Sequence, residues 1–201
     1  MKKSLYILAC LALFSCGGSS SENESLNEND QVFETTEEVI EEVIEEVSTC
    51  ETDGISVYLS DPDESGTNIR NAPNGDVVGQ LVKDEEDNME FFITALEAKD
   101  GWIRIENKVE NMGNAFEFNE GGECWIHGSV LGVDTRNYGN QVISMHADPD
   151  HESAEVGKID KEMYGLHPLD KCGKWMKFKV NGTTGWVHEE WLCGNPLTTC
   201  S

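Results

Sequence analysis

The sequence predicts an all-β fold, and three observations support this prediction. From about residue 54 onward, short apolar segments alternate with clusters of Gly, Asn, Asp and Pro, which is typical of strands joined by turns. Apolar and polar residues alternate within several segments, as in Trp102-Ile103-Arg104-Ile105, so every second side chain lies on one face. The order of the segments also recurs along the chain, which indicates two copies of one small unit.

Eleven strands are predicted, in two sets. The first set covers residues 56–59, 68–70, 77–81, 90–95, 102–106 and 125–127, and the second covers 142–145, 156–158, 163–169, 175–180 and 185–188. A small hydrophobic core is expected to be filled by Val77, Val78, Leu81, Val156 and Ile159. Tight turns are predicted at Asn74-Gly75 and Asn181-Gly182, because both residue types accept positive φ.

The two sets differ in one spacing. Trp102 and Trp125 are 23 residues apart, whereas Trp175 and Trp186 are 11 residues apart. The first repeat therefore carries an insertion of twelve residues around 107–121. Long insertions are tolerated where a loop meets solvent, so the spacing predicts an extended hairpin or loop here.

The motifs of the repeats resemble those of the bacterial SH3 (SH3b) domains. Residues 68–73, Asn-Ile-Arg-Asn-Ala-Pro, are similar to the family's N-[VIL]-R-x-x-P opening, and residues 185–192, Gly-Trp-Val-His-Glu-Glu-Trp-Leu, to its closing G-W-[VI]-x-x-x-x-L. The resemblance covers about residues 54–193. It implies two tandem small SH3-like barrels, one at 51–136 with the inserted loop and one at 137–201 with a C-terminal tail.

The resemblance also implies a function. SH3-like barrels bind extended peptides across an aromatic-lined groove between loops, so we expect binding of peptidoglycan peptides or of a cell-envelope protein. The candidate binding residues are Tyr58, Arg70, Tyr138, Tyr164 and Trp191. The alternative is a structural subunit of an outer-membrane complex, with no small ligand of its own. Two departures from the motif, Met145-His146 in place of Ile-Arg and Cys124 in place of Gly, argue against one common ligand for both repeats.

The N-terminus resembles a bacterial lipoprotein signal. Two lysines precede an apolar run at 5–14, which is too short for a membrane-spanning helix of about 20 residues. Residues 13–16, Leu-Phe-Ser-Cys, are similar to the lipobox, so we expect a signal peptide at 1–15 and a lipid on Cys16. Gly17 stands where an Asp holds some lipoproteins at the inner membrane, so we expect an outer-membrane location, on its periplasmic or surface face.

Residues 16–50 form an acidic tether, with eleven acidic residues and no basic residue between positions 17 and 50. Its first half lacks the apolar content needed to fold, which is the composition of disordered segments. In its second half, the apolar residues at 39, 40, 43, 44 and 47 follow a helical spacing. This segment is either a helix that packs on a partner or a frayed spacer, and Glu–Glu repulsion at i, i+4 favours the spacer.

The charge of the chain excludes one class of partner. Removal of residues 1–15 takes away two of the 14 basic residues, which leaves 12 basic against 39 acidic residues and a net charge of about −27. Nucleic-acid binding is not expected, because it needs Lys and Arg to neutralise phosphates. Attraction to anionic headgroups is not expected either, so the lipid must supply the membrane affinity.

Seven cysteines are present, and five remain after Cys10 leaves with the signal and Cys16 takes the lipid. Export to an oxidising compartment favours disulfides, and no Cys/His spacing typical of zinc sites occurs. The candidates for a pair are Cys172, Cys193 and Cys200, which lie within the last thirty residues. Because the number of cysteines is odd, at least one thiol is expected to stay unpaired.

The sequence predicts no catalytic or metal site. His127 and His188 occupy equivalent positions, and Cys124 lies three residues before His127, but residues three apart on a strand face opposite sides. An exposed or turn-capping role for both histidines is therefore favoured over that of a general base. Residues 61–66 open like a calcium loop, but Ala72 replaces the bidentate Glu of its twelfth position. We expect a binding protein that is not an enzyme and has no cofactor.

Overall fold

The computed structural model describes residues 50–83, 90–111, 113–198 and 200. These residues form sixteen β-strands and two short 3-10 helices, Gly128–Val130 and Glu189–Trp191, and contain no α-helix. The predicted all-β class is confirmed. The predicted signal peptide, the lipid attachment at Cys16 and the candidate helix at 39–47 lie outside the described residues. Within the described part of the chain, no helix has the length and apolar character needed to cross a membrane.

The strands are numbered in chain order. They are β1 (Ile55–Leu59), β2 (Thr67–Arg70), β3 (Val77–Leu81), β4 (Phe91–Lys99), β5 (Trp102–Ile105), β6 (Lys108–Asn111), β7 (Asn114–Glu117), β8 (Cys124–His127), β9 (Leu131–Gly132), β10 (Asp134–Thr135), β11 (Ile143–His146), β12 (Glu155–Ile159), β13 (Asp170–Cys172), β14 (Trp175–Val180), β15 (Thr183–His188) and β16 (Leu192–Cys193).

The strands of the described residues form three sheets. A nine-stranded sheet has the order β3-β2-β8-β5-β4-β1-β9, with β6 paired to β4 and β7 paired to β6. A five-stranded sheet has the order β12-β11-β15-β14-β13, and a two-stranded sheet consists of β10 and β16. None of these sheets closes on itself, so the strands are arranged in open sheets and not in closed barrels.

The same strand order occurs twice. The path β3-β2-β8-β5-β4 of the first repeat corresponds to β12-β11-β15-β14-β13 of the second. In each repeat the short strand after the 3-10 helix pairs with the strand that opens the repeat, β9 with β1 and β16 with β10. The repeat in the sequence is therefore also a repeat in strand order.

The insertion in the first repeat is a β-hairpin, as predicted. Its strands β6 and β7 pair along their whole length, and β6 also pairs with the beginning of β4. The rings of Phe91 in β4 and Phe116 in β7 meet edge to face with centroids 6.0 Å apart. Beyond the hairpin, Phe118 lies so close to Gly79 that a Cβ there would overlap its ring. The hairpin is thus packed onto the sheet and does not project from it.

The prediction of a strand at 163–169 is wrong. Gly165 has positive φ, and Pro168 has no amide hydrogen to donate. Both interrupt the regular hydrogen bonds of a strand. Leu166 makes an isolated bridge to Val133, and Leu169 donates one backbone hydrogen bond to the carbonyl of Lys177. The regular strand β13 begins after this segment, at Asp170. The predicted turn at Asn181-Gly182 is confirmed, because both residues have positive φ between β14 and β15.

The core prediction is correct at the ends of strands β3 and β12 and wrong at their beginnings. Leu81 and Ile159 are 1% and 2% exposed, whereas Val77 and Val156 are 50% and 42% exposed. The pairing of β3 with β2 and of β12 with β11 shifts register there, and the extra, unpaired residue is Val78 in β3 and Val156 in β12. A bulge bends and twists the pair locally, so the first valine of each strand leaves the core face.

A single buried segment belongs to both repeats. All five residues of Leu131–Thr135 are buried, with β9 pairing to β1 and β10 pairing to β16. Between them, Val133 forms its bridge to Leu166. The buried apolar residues of both repeats belong to one core cluster, and the described residues form one compact unit. The division into domains at 51–136 and 137–201 stays a prediction.

Two disulfides connect the described residues. Cys50 is bonded to Cys172, 122 residues away in sequence, and Cys193 is bonded to Cys200, 7 residues away. The disulfides expected for an exported chain are therefore present. The thiol of Cys124 is free and buried, and burial raises its pKa, which disfavours the reactive thiolate.

Replacement of both Cys50 and Cys172 by Ser is expected to destabilise the protein more than replacement of both Cys193 and Cys200. A cross-link that closes a longer loop removes more entropy from the unfolded chain. For separations of 122 and 7 residues, loop closure corresponds to about 5 and about 2 kcal/mol. Urea unfolding of the two double variants measures the difference, and equal free energies of unfolding would contradict the expectation.

Candidate functional site

Each repeat contains a tryptophan–histidine pair at the same place in its sheet. Trp102 at the start of β5 lies opposite His127 at the end of β8, and Trp175 at the start of β14 lies opposite His188 at the end of β15. The rings meet edge to face, with centroids 5.3 Å apart in the first repeat and 5.1 Å apart in the second. This pair marks equivalent surfaces on the two repeats.

Both histidines cap the 3-10 helix that follows them. Nδ1 of His127 accepts a hydrogen bond from the backbone N–H of Ser129, and Nδ1 of His188 accepts one from that of Glu190. The turn-capping interpretation of these histidines is confirmed. Cys124 does not pair with His127, because its buried thiol donates to the carbonyl of Phe118. The geometry therefore assembles no thiol–imidazole dyad at this place.

The residues around the two tryptophans differ. In the first repeat, the guanidinium of Arg70 lies 5.9 Å from the centroid of the Trp102 ring and donates to the carbonyl of Gly75 at 2.7 Å. In the second repeat His146 takes the place of Arg70, and its ring centroid is 5.3 Å from that of Trp175. The first repeat thus has a cation–π contact with its tryptophan, whereas the second repeat has an imidazole ring in contact with its tryptophan.

A third histidine completes the surroundings of Trp175. His151, in the turn between β11 and β12, has its ring centroid 4.6 Å from that of Trp175 and 4.7 Å from that of His188. We call His146, His151, Trp175 and His188 the Trp175 cluster. Sequence reasoning missed it, because His151 lies in an irregular turn whose direction no periodicity indicates.

Two of the predicted binding residues line one cleft. Tyr138 and Tyr164 are 40% and 69% exposed and face a cleft of about 250 Å³. The other lining residues are Asp134, Thr135, Glu162, Cys193, Pro196, Leu197 and Thr198. The hydroxyl of Tyr164 donates to Oε2 of Glu162 at 2.5 Å, and this hydrogen bond raises the pKa of Tyr164. We call this site the tyrosine cleft.

Tyr58 has a different environment from the two cleft tyrosines. It is only 8% exposed, and its hydroxyl donates to Oδ1 of Asp134 at 2.6 Å. The same oxygen accepts the backbone N–H of Gly165 at 2.8 Å. Burial, and then the hydrogen bond to Asp134, raises the pKa of Tyr58 well above its usual value. Tyr58 therefore links β1 to β10 and exposes little surface to a ligand.

The structure does not bring the remaining candidates into the cleft. Arg70 is half-buried beside Trp102, in the first repeat. Trp191 is half-buried in the second 3-10 helix and packs against the hydrophobic core. The calcium-like segment caps its own turn, since Asp61 and Asp63 accept hydrogen bonds from the backbone N–H groups two residues further on.

Comparison with known proteins gives distant structural similarity only. No protein-family model and no curated protein matches the chain. The solved structure of NlpC2 from Trichomonas vaginalis is similar with 14% identity and a TM-score of 0.31, covering 71% of this chain and 48% of that one. NlpC1 from Trichomonas vaginalis has 16% identity and a TM-score of 0.31, with coverages of 70% and 46%. The chain thus spans about half the length of each of these proteins.

Tyr58→Phe is expected to lower the free energy of unfolding by about 1.5–3 kcal/mol, because it removes a hydrogen bond to a buried charged acceptor. Tyr138→Phe serves as the control, since the Tyr138 side chain is 40% exposed and water can replace its hydroxyl contacts. Urea unfolding at neutral pH measures both variants. Equal losses in the two variants would contradict a special role of the Tyr58–Asp134 contact.

The contribution of Tyr58 is expected to depend on pH. Because the folded protein raises the pKa of Tyr58 above the usual 10.0, the unfolded chain releases this proton first as the pH rises. The unfolded state then binds fewer protons, so the free energy of unfolding falls with rising pH. The stability difference between wild type and Tyr58→Phe should be constant below about pH 10 and shrink above it. Urea unfolding at about pH 8 and about pH 11 tests this, and a difference unchanged between them would contradict it.

Proposed function

We propose that this chain is a lipid-anchored binding module of the cell envelope and that its tyrosine cleft holds an extended, amine-bearing peptide of peptidoglycan. The observation that carries the proposal is the exposure of Tyr138 and Tyr164 on one cleft beside the carboxylate of Glu162. Large aromatic side chains of a soluble surface rarely converge without a partner, because their exposure to water is unfavourable.

The size of the cleft favours part of a chain over a whole small molecule. Its volume of about 250 Å³ lies below the roughly 300–1,000 Å³ of pockets that enclose drug-sized ligands. One or two residues of an extended peptide fit this space, with the aromatic rings on one side. Leu197, which is 54% exposed, adds an apolar wall. The cleft thus resembles the pockets in which extended peptides are bound.

The charge of the cleft and of the chain favours a ligand with amino groups. Glu162 and Asp134 contribute carboxylates to the lining, and among the described residues no Lys, Arg or His lines the cleft. The net charge of about −27 after removal of the signal peptide repels anionic partners over a longer range. Peptidoglycan stem peptides, which the SH3b resemblance implies as ligands, present an extended backbone and amino groups.

The proposal includes the anchor and excludes catalysis. A lipid on Cys16 would hold the protein at the outer membrane, on the periplasmic or surface face, with the acidic tether of residues 16–50 between lipid and folded part. Within the described residues the candidate nucleophile Cys124 is buried and the candidate base His127 caps a turn. These positions support binding without turnover.

Tyr164→Ala is expected to raise the dissociation constant for purified sacculi about tenfold, which corresponds to about 1.4 kcal/mol. Leu197→Ala should weaken binding less, because it removes a smaller contact. Leu169→Ala is the matched control: Leu169 is 43% exposed, like Leu197, but does not line the cleft. Co-sedimentation of the full chain with sacculi measures all variants at equal protein concentration.

The results test separately where the protein binds sacculi and whether peptidoglycan is its ligand. Retention of the wild type with unchanged retention of Tyr164→Ala and Leu197→Ala would contradict binding in the tyrosine cleft. No retention of the wild type would reject the peptidoglycan ligand and favour the structural role in an outer-membrane complex. The unfolding curve of each variant is recorded as well, so that weaker retention caused by unfolding can be told apart from weaker binding.

A further inference from the structure

Next to Trp175, three side chains that commonly bind metal ions lie together. The ligand atoms of His151, His188 and Glu190 are all within 4.8 Å of one another. Nδ1 of His188 and Oε1 of Glu190 are 3.4 Å apart. Two ligands of a tetrahedral Zn²⁺ are separated by roughly 3.3 Å when each metal–ligand bond is about 2.0–2.1 Å long. Two of the three groups therefore already have the spacing of a metal site.

The backbone holds His188 and Glu190 in this arrangement. His188 ends β15 opposite Trp175, and the edge-to-face contact with that ring, at 5.1 Å, fixes the imidazole plane. Glu190 follows in the 3-10 helix that His188 caps, so both side chains emerge from one short turn. Nδ1 of His188 has a single lone pair, so metal binding at this atom would replace the long 3.4 Å hydrogen bond that it accepts from the Glu190 N–H.

The third group, His151, lies in a turn between β11 and β12 that several hydrogen bonds define. Asp150 accepts hydrogen bonds from the backbone N–H groups of Glu152 and Ser153, and the Ser153 hydroxyl donates to the carbonyl of Asp148. This places the exposed ring of His151 with its centroid 4.7 Å from that of His188. The ligand atoms lie up to 4.8 Å apart, and two ligands of one metal ion are about 3.3 Å apart, so these atoms must approach by about 1.5 Å. Rotation of the exposed side chains of His151 and Glu190 can supply this shift.

We propose that His151, His188 and Glu190 bind a divalent transition-metal ion of the Zn²⁺ class. Two imidazoles and one carboxylate suit Zn²⁺ and Cu²⁺, whereas Mg²⁺ and Ca²⁺ prefer oxygen ligands only. His151 and Glu190 are exposed, so water or a ligand group can complete the coordination. The site shares no residue with the tyrosine cleft, and the proposal does not depend on the proposed function.

The first repeat provides an internal comparison. His127 also faces a tryptophan and caps a 3-10 helix, but the residue at the position of Glu190 is Ser129, whose hydroxyl is 2.7 Å from Nδ1 of His127. Arg70 occupies the position of His146, and its permanent positive charge repels a cation. The turn between β2 and β3 contains no histidine. The metal site is therefore confined to the second repeat.

Isothermal titration of the full, metal-stripped chain with ZnCl₂ tests the proposal. The titration is carried out in excess Mg²⁺, which screens the 39 acidic residues without competing for imidazole. One saturating site per chain is expected. His151→Ala and Glu190→Gln should each raise the dissociation constant for Zn²⁺ about tenfold or more, because each removes one ligand. His127→Ala, which removes the equivalent imidazole of the first repeat, should leave the affinity unchanged.

His151→Ala is the sharpest variant, because its ring is exposed and caps no turn, so its loss is expected to leave the fold intact. Urea unfolding in metal-free buffer verifies this. Absence of a saturable Zn²⁺ site in the wild type would overturn the proposal. Unchanged affinity in both His151→Ala and Glu190→Gln would also overturn it, because the ion would then be bound elsewhere, at the acidic tether or at Cys124. An equal loss in His127→Ala would overturn the confinement to the second repeat.

Discussion

The arrangement of both repeats depends on the pairing made by five consecutive buried residues, Leu131–Thr135. The first two pair with β1, the middle residue bridges to Leu166, and the last two pair with β16. Gly132 is needed within this segment, because a Cβ there would overlap the ring of Tyr58. That ring in turn carries the hydroxyl bonded to Asp134. One short stretch thus completes the first sheet and begins the second repeat, and it leaves no flexible linker between them.

Those features that follow from local pattern could be predicted from the sequence. Alternation located most strands, and the difference between the two tryptophan spacings located the hairpin, because both depend on neighbouring residues only. Long-range features could not be predicted in this way. The bond from Cys50 to Cys172 joins residues 122 apart, and no spacing rule selects one cysteine among several. The exposure of Val77 and Val156 accompanies register shifts in the pairing of β3 with β2 and of β12 with β11, which the alternation of residue types does not indicate.

The residues of the candidate sites also differ in how far the sequence could predict them. Tyr138 and Tyr164 could be singled out as aromatic candidates for a binding surface, and the fold brings them to one cleft. Their convergence, however, depends on β10 and on the segment around Glu162, which are joined by hydrogen bonds between Thr135 and Met163. The Trp175 cluster could not be predicted, since His151 lies in a turn whose path is set by the hydrogen bonds of Asp150. Sequence therefore identifies residue types, and loop geometry decides which of them meet.

The two repeats have the same Trp–His pair and differ in the charge placed beside it. In the first repeat Arg70 supplies a fixed positive charge over Trp102, held by the carbonyl of Gly75. In the second repeat the equivalent position is an imidazole, and the neighbouring side chains are those that bind cations. A bound divalent ion would restore a positive charge beside Trp175, and with it the electrostatic complement that the first repeat obtains from a side chain. On a chain with a formal net charge of −25, such an ion would also offset repulsion among the surrounding carboxylates. With the proposed ion bound, the divergence at this position would exchange a permanent charge for one that depends on metal concentration.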